Sequence, residues 1–450
     1  MFKKILIANR GEIAVRVIRA CREMGIQTVA VYSTADRDGL WVSLADEAVC
    51  IGSAKSADSY LNMDAIISAA ILKRANAIHP GYGFLSENSE FAGKCAENDI
   101  VFIGPSPDVL GRMGDKNTAR VVMQKAGIPV VPGSEIVKDV RSGLREAEKI
   151  GFPLLIKARS GGGGRGIRVV NSRKEFESAF LQAGAEAKSC FGDSGLYLEK
   201  YLADVKHIEM QIIGDKFGAV VCMGERDCSM QRRKQKLIEE APANIKEDVR
   251  TAMFKAAVSA GKSVNYVGVG TVEFLVSADG SHYFMEMNTR LQVEHPVTEM
   301  VTGRDLVQWQ IRVAAGYRLG FVQEDISTRG HAIECRINNE NLLTNTAVGG
   351  ANRINTLHVP NGPWVRFDSA IYPGYSIPSF YDSMIGKLIV WSSTREKAIR
   401  KMRAALCELV IEGVVVNTDM HLELLDTPEF GDSSYSTTSV DLFLQRRVGK

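Results

Sequence analysis

The segment from Gly270 to Pro296, GTVEFLVSADGSHYFMEMNTRLQVEHP, constrains the fold more than any other part of the chain. Two apolar, β-prone runs flank Asp279 and Gly280, a dipeptide typical of the tight type I′ turn that joins antiparallel strands. The sequence therefore predicts a β-hairpin with this dipeptide at its tip. In that register Glu273 lies directly opposite Glu286.

Two carboxylates that face each other favour a positive group between them. Like charges directly opposite in a sheet are destabilising, because their Cβ atoms are only about 5 Å apart. Asn288 follows Glu286 by two residues, so it lies on the same face and adds a third oxygen. Hard oxygen ligands suit Mg²⁺ or Mn²⁺, and we predict a metal site at Glu273, Glu286 and Asn288. The alternative, from the hairpin alone, is two hydrated carboxylates on an exposed face.

The composition excludes several classes of protein. A length of 450 residues predicts about three domains. The net charge of +2 gives no reason to expect binding to nucleic acid or to a membrane surface. The eight cysteines include no C-x-x-C pair, so neither a disulfide framework nor a zinc site is predicted. No signal peptide or membrane span is expected, and the predicted compartment is the cytoplasm.

The chain up to about residue 110 alternates between strand and helix patterns. The predicted strands are Lys4–Ala8, Gln27–Tyr32, Ala75–Ile78 and Val101–Ile103, and the predicted helices are Glu12–Met24, Met63–Lys73 and Glu90–Glu97. This rhythm predicts a small parallel sheet covered by helices. Ligands at such sheets bind beyond the carboxyl ends of the strands, where the loop from His79 to Phe84 falls. Tyr82 in this loop is a candidate contact, although packing explains a loop tyrosine equally well.

A glycine run from Gly161 to Gly166 lies between two predicted strands, Pro153–Lys157 and Ile167–Val170. The run satisfies G-x-G-x-x-G, but the dinucleotide fingerprint needs a helix after the glycines, and here a strand follows. Strand, glycine loop and strand instead predict a flexible lid whose backbone N–H groups close over phosphates. Lys157 adds a positive charge beside the lid. The alternative is a mobile surface loop without a ligand.

After Gly330 the pattern changes to short strands and turns, followed by a long predicted helix, Thr394–Leu409. A stripe of apolar residues at helical spacing is predicted to face the core, at Ala398, Met402, Ala405 and Leu409. We expect a closing C-terminal domain. Lys387, which follows a glycine, is predicted to be a solvated lysine.

Ten segments spread along the chain match the motifs of a known family. They read IANRGEIAVR from Ile7, HPGYGFLSEN from His79, MGDK ending at Lys116, IKA from Ile156 followed by GGGGRG, EKYL from Glu199, ERDCSMQRR from Glu225, QKLIEEAPA from Gln235, EMNTRLQVEHPVTEM from Glu286, HAIECRIN from His331 and YDSMIGK from Tyr381. From the first strand to about residue 445, the chain resembles the biotin carboxylase component of biotin-dependent carboxylases, within the ATP-grasp superfamily.

The resemblance implies a multidomain fold of α/β and α+β class. Residues 1–114 would form an N-terminal Rossmann-like (pre-ATP-grasp) domain. Residues 115–330 would form an ATP-grasp domain that includes a mobile glycine-rich lid at about 131–203. Residues 331–447 would form a C-terminal mixed α+β domain.

The resemblance also implies a role for each candidate site residue. ATP would contact Lys116, Lys157, Gly163, Gly164, Glu199, Lys200, Tyr201, Leu202, His207, Gln231, Lys234 and Leu275. Two Mg²⁺ or Mn²⁺ ions would be held by the residues that the hairpin argument selects, Glu273, Glu286 and Asn288. Bicarbonate would bind Lys236, Arg290, Gln292 and Val293, Glu294 would be the catalytic base, and biotin would meet Tyr82 and Arg336.

The implied activity is ATP-dependent carboxylation of biotin by bicarbonate through carboxyphosphate. The chain carries no A-M-K-M biotinylation sequence and no carboxyltransferase, so biotin is expected on a separate biotin carboxyl carrier protein that also serves carboxyltransferase subunits. The expected setting is a bacterial acetyl-CoA carboxylase, which forms malonyl-CoA for fatty-acid synthesis. The chain itself is expected to form a homodimer.

Three alternatives stay open on the sequence alone. The first is the biotin carboxylase subunit of a pyruvate or other acyl-CoA carboxylase. The second is another ATP-grasp ligase, of carboxyaminoimidazole-forming or carbamoyl-phosphate type, which shares the lid and the metal carboxylates but not the bicarbonate and biotin residues. The third is a non-catalytic nucleotide-sensing subunit, which predicts disruption at Lys236, Arg290 or Glu294, yet all three are present.

The sequence departs from the family pattern in three places. Lys234 stands where the family often has histidine near the nucleotide, which adds a charge. The lid begins with Arg159 and Ser160 where relatives have smaller residues, and residues 345–350 read NTAVGG in place of a proline-containing turn.

The pKa of Glu294 also stays open, because cations would lower it while other carboxylates or burial would raise it.

Overall fold

The structure is a computed structural model of the chain and describes residues 1–159, 167–191, 195–340 and 352–448. The predicted glycine lid at 161–166, with Gly163 and Gly164, lies outside the described residues. The same holds for Ser160 and for the NTAVGG segment at 345–350. Among the described residues, no helix combines the length and the apolar composition that a membrane crossing requires.

The N-terminal region forms the predicted parallel sheet, covered by helices on both faces. Its strands are β1 (Lys4–Ile7), β2 (Gln27–Ser33), β3 (Glu47–Gly52), β4 (Ala77–His79) and β5 (Val101–Phe102), and its helices are α1 (Gly11–Glu23), α2 (Leu40–Leu44), α3 (Met63–Leu72), α4 (Ser89–Glu97) and α5 (Pro107–Gly114). The strand order is β3-β2-β1-β4-β5. Alternate residues of β1 enter two separate cores, Ile5 with α1 and Leu6 with α3. The sequence prediction lacks β3, a mostly half-exposed strand at the edge of the sheet.

A smaller antiparallel sheet follows. It contains α6 (Lys116–Lys125), α7 (Val140–Ile150), β6 (Leu154–Ala158), β7 (Ile167–Val170), α8 (Arg173–Phe191) and β8 (Leu196–Lys200), with strand order β7-β6-β8. The strands predicted on either side of the glycine run are therefore confirmed. Lys157 on β6 is paired with Ile167 on one side and with Tyr197 on the other.

The rest of the chain is built around one eight-stranded antiparallel sheet. Its elements are β9 (Lys206–Gly214), β10 (Val220–Arg232), β11 (Gln235–Ala241), α9 (Glu247–Ser263), β12 (Gly268–Val276), β13 (His282–Asn288), α10 (His295–Thr302), α11 (Leu306–Ala314), β14 (His331–Asn338), β15 (Thr356–His358), β16 (Val365–Ser369), β17 (Met384–Ser392), α12 (Arg395–Glu408), β18 (Val410–Glu412), α13 (Thr418–Leu425), α14 (Pro428–Gly431) and α15 (Ser439–Val448). The strand order is β13-β12-β9-β10-β11-β14-β17-β16, while β15 and β18 pair separately. The predicted domain boundary at 330/331 separates β11 from β14 in the sequence, yet these two strands are neighbours in the same sheet. The predicted core stripe is confirmed, because Ala398, Met402 and Ala405 on α12 and Leu409 directly after it are all buried.

The hairpin of β12 and β13 pairs Glu273 with Glu286, as predicted. The predicted two-residue turn is wrong, because residues 277–281 connect the strands and Gly280 N–H closes a turn onto the Ser277 carbonyl at 2.9 Å. This longer connection shifts the pairing near the tip by one residue. An extra residue on β13, Met285, forms a bulge. This bulge returns the pairing to the predicted register at Glu273 and Glu286.

The two-residue hairpin turn occurs elsewhere, between β10 and β11. Arg233 and Lys234 form it, and both have positive φ angles, 49° and 67°. Their neighbours Arg232 and Gln235 pair directly. A type I′ turn favours Asn-Gly because side chains with a Cβ atom are disfavoured in this region, by about 1–2 kcal/mol per residue. Lys234 is therefore held at the tip of a strained turn.

Glu240 on β11 connects the large sheet to the C-terminal helices through side-chain contacts. Its carboxylate lies 2.8 Å from His331 Nε2 and accepts hydrogen bonds from Arg395 at 2.8 and 3.1 Å and from the Tyr435 hydroxyl. Burial disfavours the charge, but His331 and Arg395 lower the pKa of Glu240 to about 2. The buried anion thus depends on all three partners.

We expect Glu240→Gln to lower the free energy of unfolding by about 3 kcal/mol at neutral pH. Because the folded pKa is lowered, the ionised carboxylate stabilises the chain above its unfolded pKa of about 4.3, and this contribution is lost as the pH falls toward 2. Urea unfolding at several pH values measures the difference in the free energy of unfolding between the wild type and Glu240→Gln. This difference should narrow below about pH 4.5. Glu247→Gln, at a glutamate that is 78% exposed, is the control with little expected change. A difference in the free energy of unfolding that stays constant down to about pH 3 would contradict the lowered pKa of Glu240.

Candidate active site

Strand β9 places a row of polar side chains on one face of the large sheet. His207, Glu209 and Gln211 alternate along it and are at most 4% exposed. Ile208 and Met210, between them, point into the opposite core. The period-2 alternation over residues 207–212 is the sequence signal for this row, of which the prediction included only His207.

Glu273 on β12 lies at the centre of this polar row. Its Oε2 atom lies 2.8 Å from His207 Nε2. Its Oε1 atom accepts hydrogen bonds from Asn288 Nδ2 at 2.6 Å, from Gln292 Nε2 at 2.7 Å and from Lys236 Nζ at 3.3 Å. Burial opposes the charge, but Lys236 and His207 hold the pKa of Glu273 well below its usual value. The carboxylate is therefore ionised and surrounded by donors.

Lys236 on β11 is shared by three carboxylates. Its Nζ atom lies 2.6 Å from Glu294, 3.3 Å from Glu273, and also donates to Glu209. Arg226 on β10, which is fully buried, donates to the second oxygen of Glu209 at 3.0 Å. Two cations thus lie among three buried acids, and each of the three acids accepts a hydrogen bond from at least one of these cations.

Glu294 lies between two cations that come from different strands. Its carboxylate accepts from Lys236 at 2.6 Å and from Arg336 Nη2 at 2.9 Å, and it is 1% exposed. Burial raises the pKa of Glu294, but Lys236 and Arg336 outweigh it, so the pKa is lowered overall. This answers the question that the sequence left open. Glu294 is ionised at neutral pH and bridges a candidate bicarbonate residue to a candidate biotin residue.

Arg290 pairs with Glu87 and not with Glu294. Its Nε atom donates to Glu87 Oε2 at 2.8 Å, and the other carboxylate oxygen accepts from Thr289 N–H at 3.0 Å. Its Nη2 atom donates to Asn288 Oδ1 at 3.1 Å. Arg290 and Glu294 therefore have different ion-pair partners, Glu87 for Arg290, and Lys236 and Arg336 for Glu294. Glu87 fixes the loop between β13 and α10 from the N-terminal region.

The residues predicted to bind metal lie together on the β12–β13 hairpin. Glu286 faces Glu273, its side chain is 37% exposed, and Lys116 Nζ lies 3.6 Å from its carboxylate. Burial and the neighbouring Glu273 raise the pKa of Glu286. Asn288 directs its amide nitrogen to Glu273 and its oxygen to Arg290. Two facing carboxylates and an amide form an oxygen donor set that fits a divalent cation such as Mg²⁺ or Mn²⁺.

Three candidate nucleotide lysines lie near the metal hairpin. Lys116 contacts Glu286, while Lys157 donates to Glu199. Lys234, at the strained turn, is close enough to both lysines that burial and their charges lower its pKa. A group of cations beside a half-exposed carboxylate is suited to phosphate groups that bring their own negative charge.

The remaining nucleotide candidates are distributed over neighbouring strands. Leu275 faces His207 across β12 and β9, and Gln231 faces Lys236 across β10 and β11. Lys200, Tyr201 and Leu202 lie at the end of β8. The Lys200 ammonium donates to the carbonyls of residues 151 and 152, each at 3.2 Å, so it is engaged in the small sheet.

A buried chain of contacts connects Tyr82 to Val293. The Tyr82 hydroxyl donates to Glu12 on α1, and Lys387 Nζ lies 3.2 Å from the same Glu12 oxygen. Lys387 also donates to the Val293 carbonyl at 2.5 Å. The prediction of a solvated Lys387 is wrong: the residue is 0% exposed, because β17 is an interior strand of the sheet and α1 packs over it.

Glu87 and Arg226 are among the site residues that the sequence prediction lacks. Glu87 and Arg226 lie within the quoted motifs HPGYGFLSEN and ERDCSMQRR, so the signal was present without an assigned partner. Arg226 donates to Glu209, Gln211, Thr271, Gln292 and Thr298. Its five acceptors come from four different elements, and only the folded sheet brings them together.

Comparison with known families identifies the three parts of the chain. The biotin carboxylase N-terminal domain matches residues 1–110, the ATP-binding domain of the carbamoyl-phosphate synthase L chain matches residues 115–322, and the biotin carboxylase C-terminal domain matches residues 334–442. Together with the small sheet, the large sheet and the oxygen-rich hairpin, these matches define an enzyme of the ATP-grasp class.

Known proteins narrow this class to one family. The biotin carboxylase of Nostoc sp. is 54% identical over 441 residues, which cover 98% of each chain. The crystal structure of the biotin carboxylase-beta-gamma-ATP complex from Campylobacter jejuni has a TM-score of 0.93 and 49% identity, and covers 98% of this chain and 99% of that one. The biotin carboxylase domain dimer of Hydrogenobacter thermophilus 2-oxoglutarate carboxylase, in complex with MgADP, ADP and bicarbonate, has a TM-score of 0.92 and 48% identity, with 98% and 97% covered. The chain belongs to the biotin carboxylase family.

Proposed function

We propose that the chain catalyses the ATP-dependent carboxylation of biotin with bicarbonate, through carboxyphosphate, as the first half-reaction of an acetyl-CoA carboxylase. One observation carries the proposal: the Glu294 carboxylate is held ionised between Lys236 at 2.6 Å and Arg336 at 2.9 Å. The loop that holds Glu294 follows directly after the hairpin of Glu273 and Glu286. A base, cationic donors and metal ligands are therefore available in one site.

In the first step, bicarbonate binds among Lys236, Arg290, Gln292 and the backbone of Val293. Cationic donors are needed because bicarbonate and the γ-phosphate of ATP are both anions and repel each other. A bicarbonate oxygen attacks the γ-phosphorus while the bond to ADP breaks. The bicarbonate hydroxyl proton passes to Glu294, which is already ionised, and the products are carboxyphosphate and ADP.

The nucleotide and its metals occupy the neighbouring hairpin. Glu273, Glu286 and Asn288 would hold two Mg²⁺ or Mn²⁺ ions, which supply positive charge to the phosphate oxygens. Lys116 and Lys157 add further charge on the phosphate side. The other ATP contacts proposed are Gly163, Gly164, Glu199, Lys200, Tyr201, Leu202, His207, Gln231, Lys234 and Leu275.

In the second step, carboxyphosphate breaks down to CO₂ and phosphate. The released phosphate takes the proton from the ureido nitrogen of biotin, and Arg290 stabilises the enolate that forms. The nitrogen then attacks CO₂ to give carboxybiotin. Tyr82 and Arg336 would contact biotin, and the ion pair of Arg336 with Glu294 keeps this contact next to the bicarbonate residues.

The proposed setting includes partners on other polypeptides. Biotin would arrive on a biotin carboxyl carrier protein, carboxyltransferase subunits would use the product, and the chain would work as a homodimer in the cytoplasm.

We propose domain boundaries at 1–114, 115–330 with the lid at 131–203, and 331–447, which the three family matches support. A subunit of a pyruvate or other acyl-CoA carboxylase is the second candidate, because one similar structure is that of the biotin carboxylase subunit of pyruvate carboxylase.

The experiment is a measurement of ADP release by the purified chain with MgATP. We expect release to require bicarbonate and to be accelerated by free biotin, whose carboxylation would be followed with labelled bicarbonate. Omission of either substrate is the matched control. ADP release that needs bicarbonate but ignores biotin would support another ATP-grasp ligase, and nucleotide binding without turnover would support a sensing subunit.

A further inference from the structure

The buried ammonium of Lys387 lies where the N-terminal region, the loop after β13 and the C-terminal strands meet. Its position on β17 pairs with Arg336 on one side and with Asp368 on the other. Its Nζ atom has two partners from other parts of the chain, Glu12 at 3.2 Å and the Val293 carbonyl at 2.5 Å. One cation therefore contacts residues that are far apart in sequence.

The loop that contains Val293 is held at almost every residue. Glu87 fixes Thr289 and Arg290, and Gln292 bridges Arg226 at 2.7 Å to Glu273 at 2.7 Å. At Val293, Lys387 binds the main-chain carbonyl. A peptide carbonyl that is fixed also fixes the direction of the next N–H group, because the peptide unit is planar. Lys387 thus sets the orientation of the peptide unit that joins Val293 to Glu294.

The second partner of Lys387 reaches the other side of the site. Glu12 Oε1 accepts from the Tyr82 hydroxyl as well as from the ammonium. Glu12 is 6% exposed and begins the first turn of α1, next to the loop with Tyr82. Tyr82 is consequently positioned through Glu12 by the same lysine that positions Val293.

Stability alone gives a weak reason for this arrangement. A buried ion pair contributes little over a well-packed apolar pair of similar volume, because the cost of removing both charges from water offsets their attraction. Lys387 has no exposed surface, and a further carboxylate, Glu334, lies nearby with both oxygens buried and without a hydrogen-bond partner among the described residues. Such a concentration of buried ionisable groups is typical of sites where geometry must be fixed.

We propose that Lys387 is a positioning residue for carboxylation, which holds the bicarbonate side through Val293 and the biotin side through Glu12 and Tyr82. This inference rests on the proposed function, since the two sides have these roles only there. It predicts a coupled loss: removing the ammonium misplaces both substrates relative to each other. The nucleotide residues Lys116 and Lys157 lie on other elements and keep their contacts.

The test compares Lys387→Met with the double variant Lys387→Met/Glu12→Gln, which removes both buried charges. We expect kcat/KM for bicarbonate and for biotin to fall about 100-fold in both variants, while the dissociation constant for ATP stays within about twofold. The double variant should recover the melting temperature that Lys387→Met loses, because position 12 then carries no carboxylate opposite the missing ammonium. Lys401→Met is the matched control, since Lys401 also donates to a main-chain carbonyl, that of Pro363 at 2.9 Å, remote from the site.

The outcomes separate this inference from the proposed function. If the wild-type chain shows no bicarbonate-dependent ADP release, the proposed function fails first. If the wild type is active and the double variant recovers both stability and kcat/KM, Lys387 has a purely structural role and the inference is overturned. If Lys387→Met does not fold, Glu12→Gln alone still tests the biotin side, where kcat/KM for biotin should fall and that for bicarbonate should change less.

Discussion

Replacing Glu294 by glutamine is expected to abolish bicarbonate-dependent ADP release while ATP still binds. Glutamine has the same shape but takes no proton from bicarbonate, and general base catalysis contributes about 10²–10⁴-fold. Lys236 and Arg336 would also lose the anion that lies between them. The measurement is kcat for ADP release at saturating bicarbonate, together with the dissociation constant for ATP.

The matched control for this prediction is Glu239→Gln. Glu239 is also fully buried and accepts from Arg336 at 2.6 Å. Burial raises its pKa to about 7, so that at neutral pH the acid is already partly protonated and the amide is a close mimic. We expect Glu239→Gln to cost less than about tenfold. Wild-type turnover in Glu294→Gln would remove this residue from the role of base.

Glu286→Gln is expected to raise the metal concentration needed for half-maximal activity by at least about 100-fold. Replacing groups that only orient a metal ligand costs about 10–100-fold, and a direct ligand should cost more. The glutamine also removes the negative charge that faces Glu273 across the hairpin. Rates measured over a titration with Mg²⁺ and with Mn²⁺ test this, and excess metal should restore part of the activity.

Asp279→Asn provides the control on the same hairpin. Asp279 lies at the tip, where its side chain accepts from Ser281 N–H at 2.9 Å, and it is remote from the facing pair. We expect the metal dependence of the Asp279→Asn variant to match that of the wild type. An unchanged metal requirement in Glu286→Gln would contradict the assignment of this residue as a ligand.

Local patterns were sufficient to predict much of the fold. The parallel sheet, the strands around the glycine run and the stripe on α12 all depend on neighbours within a few residues. The facing pair of Glu273 and Glu286 was also correct, although the turn was wrong. A longer connection and a bulge at Met285 offset each other, and neither has a strong signal in the sequence.

The rest of the site depends on contacts between distant segments. Arg290 and Glu87 are 203 positions apart, and Lys387 lies 94 positions from Val293. Lys387 was predicted to be solvated because lysine is rarely buried, and only the packing of α1 over β17 reverses this expectation. The sign of the pKa shift of Glu294 likewise needed the positions of Lys236 and Arg336.

The strained turn at Arg233 and Lys234 has a consequence for engineering. A designer who seeks a more heat-resistant enzyme would place Asn-Gly there, because both positions are left-handed. That exchange would delete the lysine beside the proposed nucleotide phosphates. If Lys234 contacts the nucleotide as proposed, heat resistance and substrate affinity compete at this tip, and a screen based on heat survival alone would favour variants that bind ATP less well.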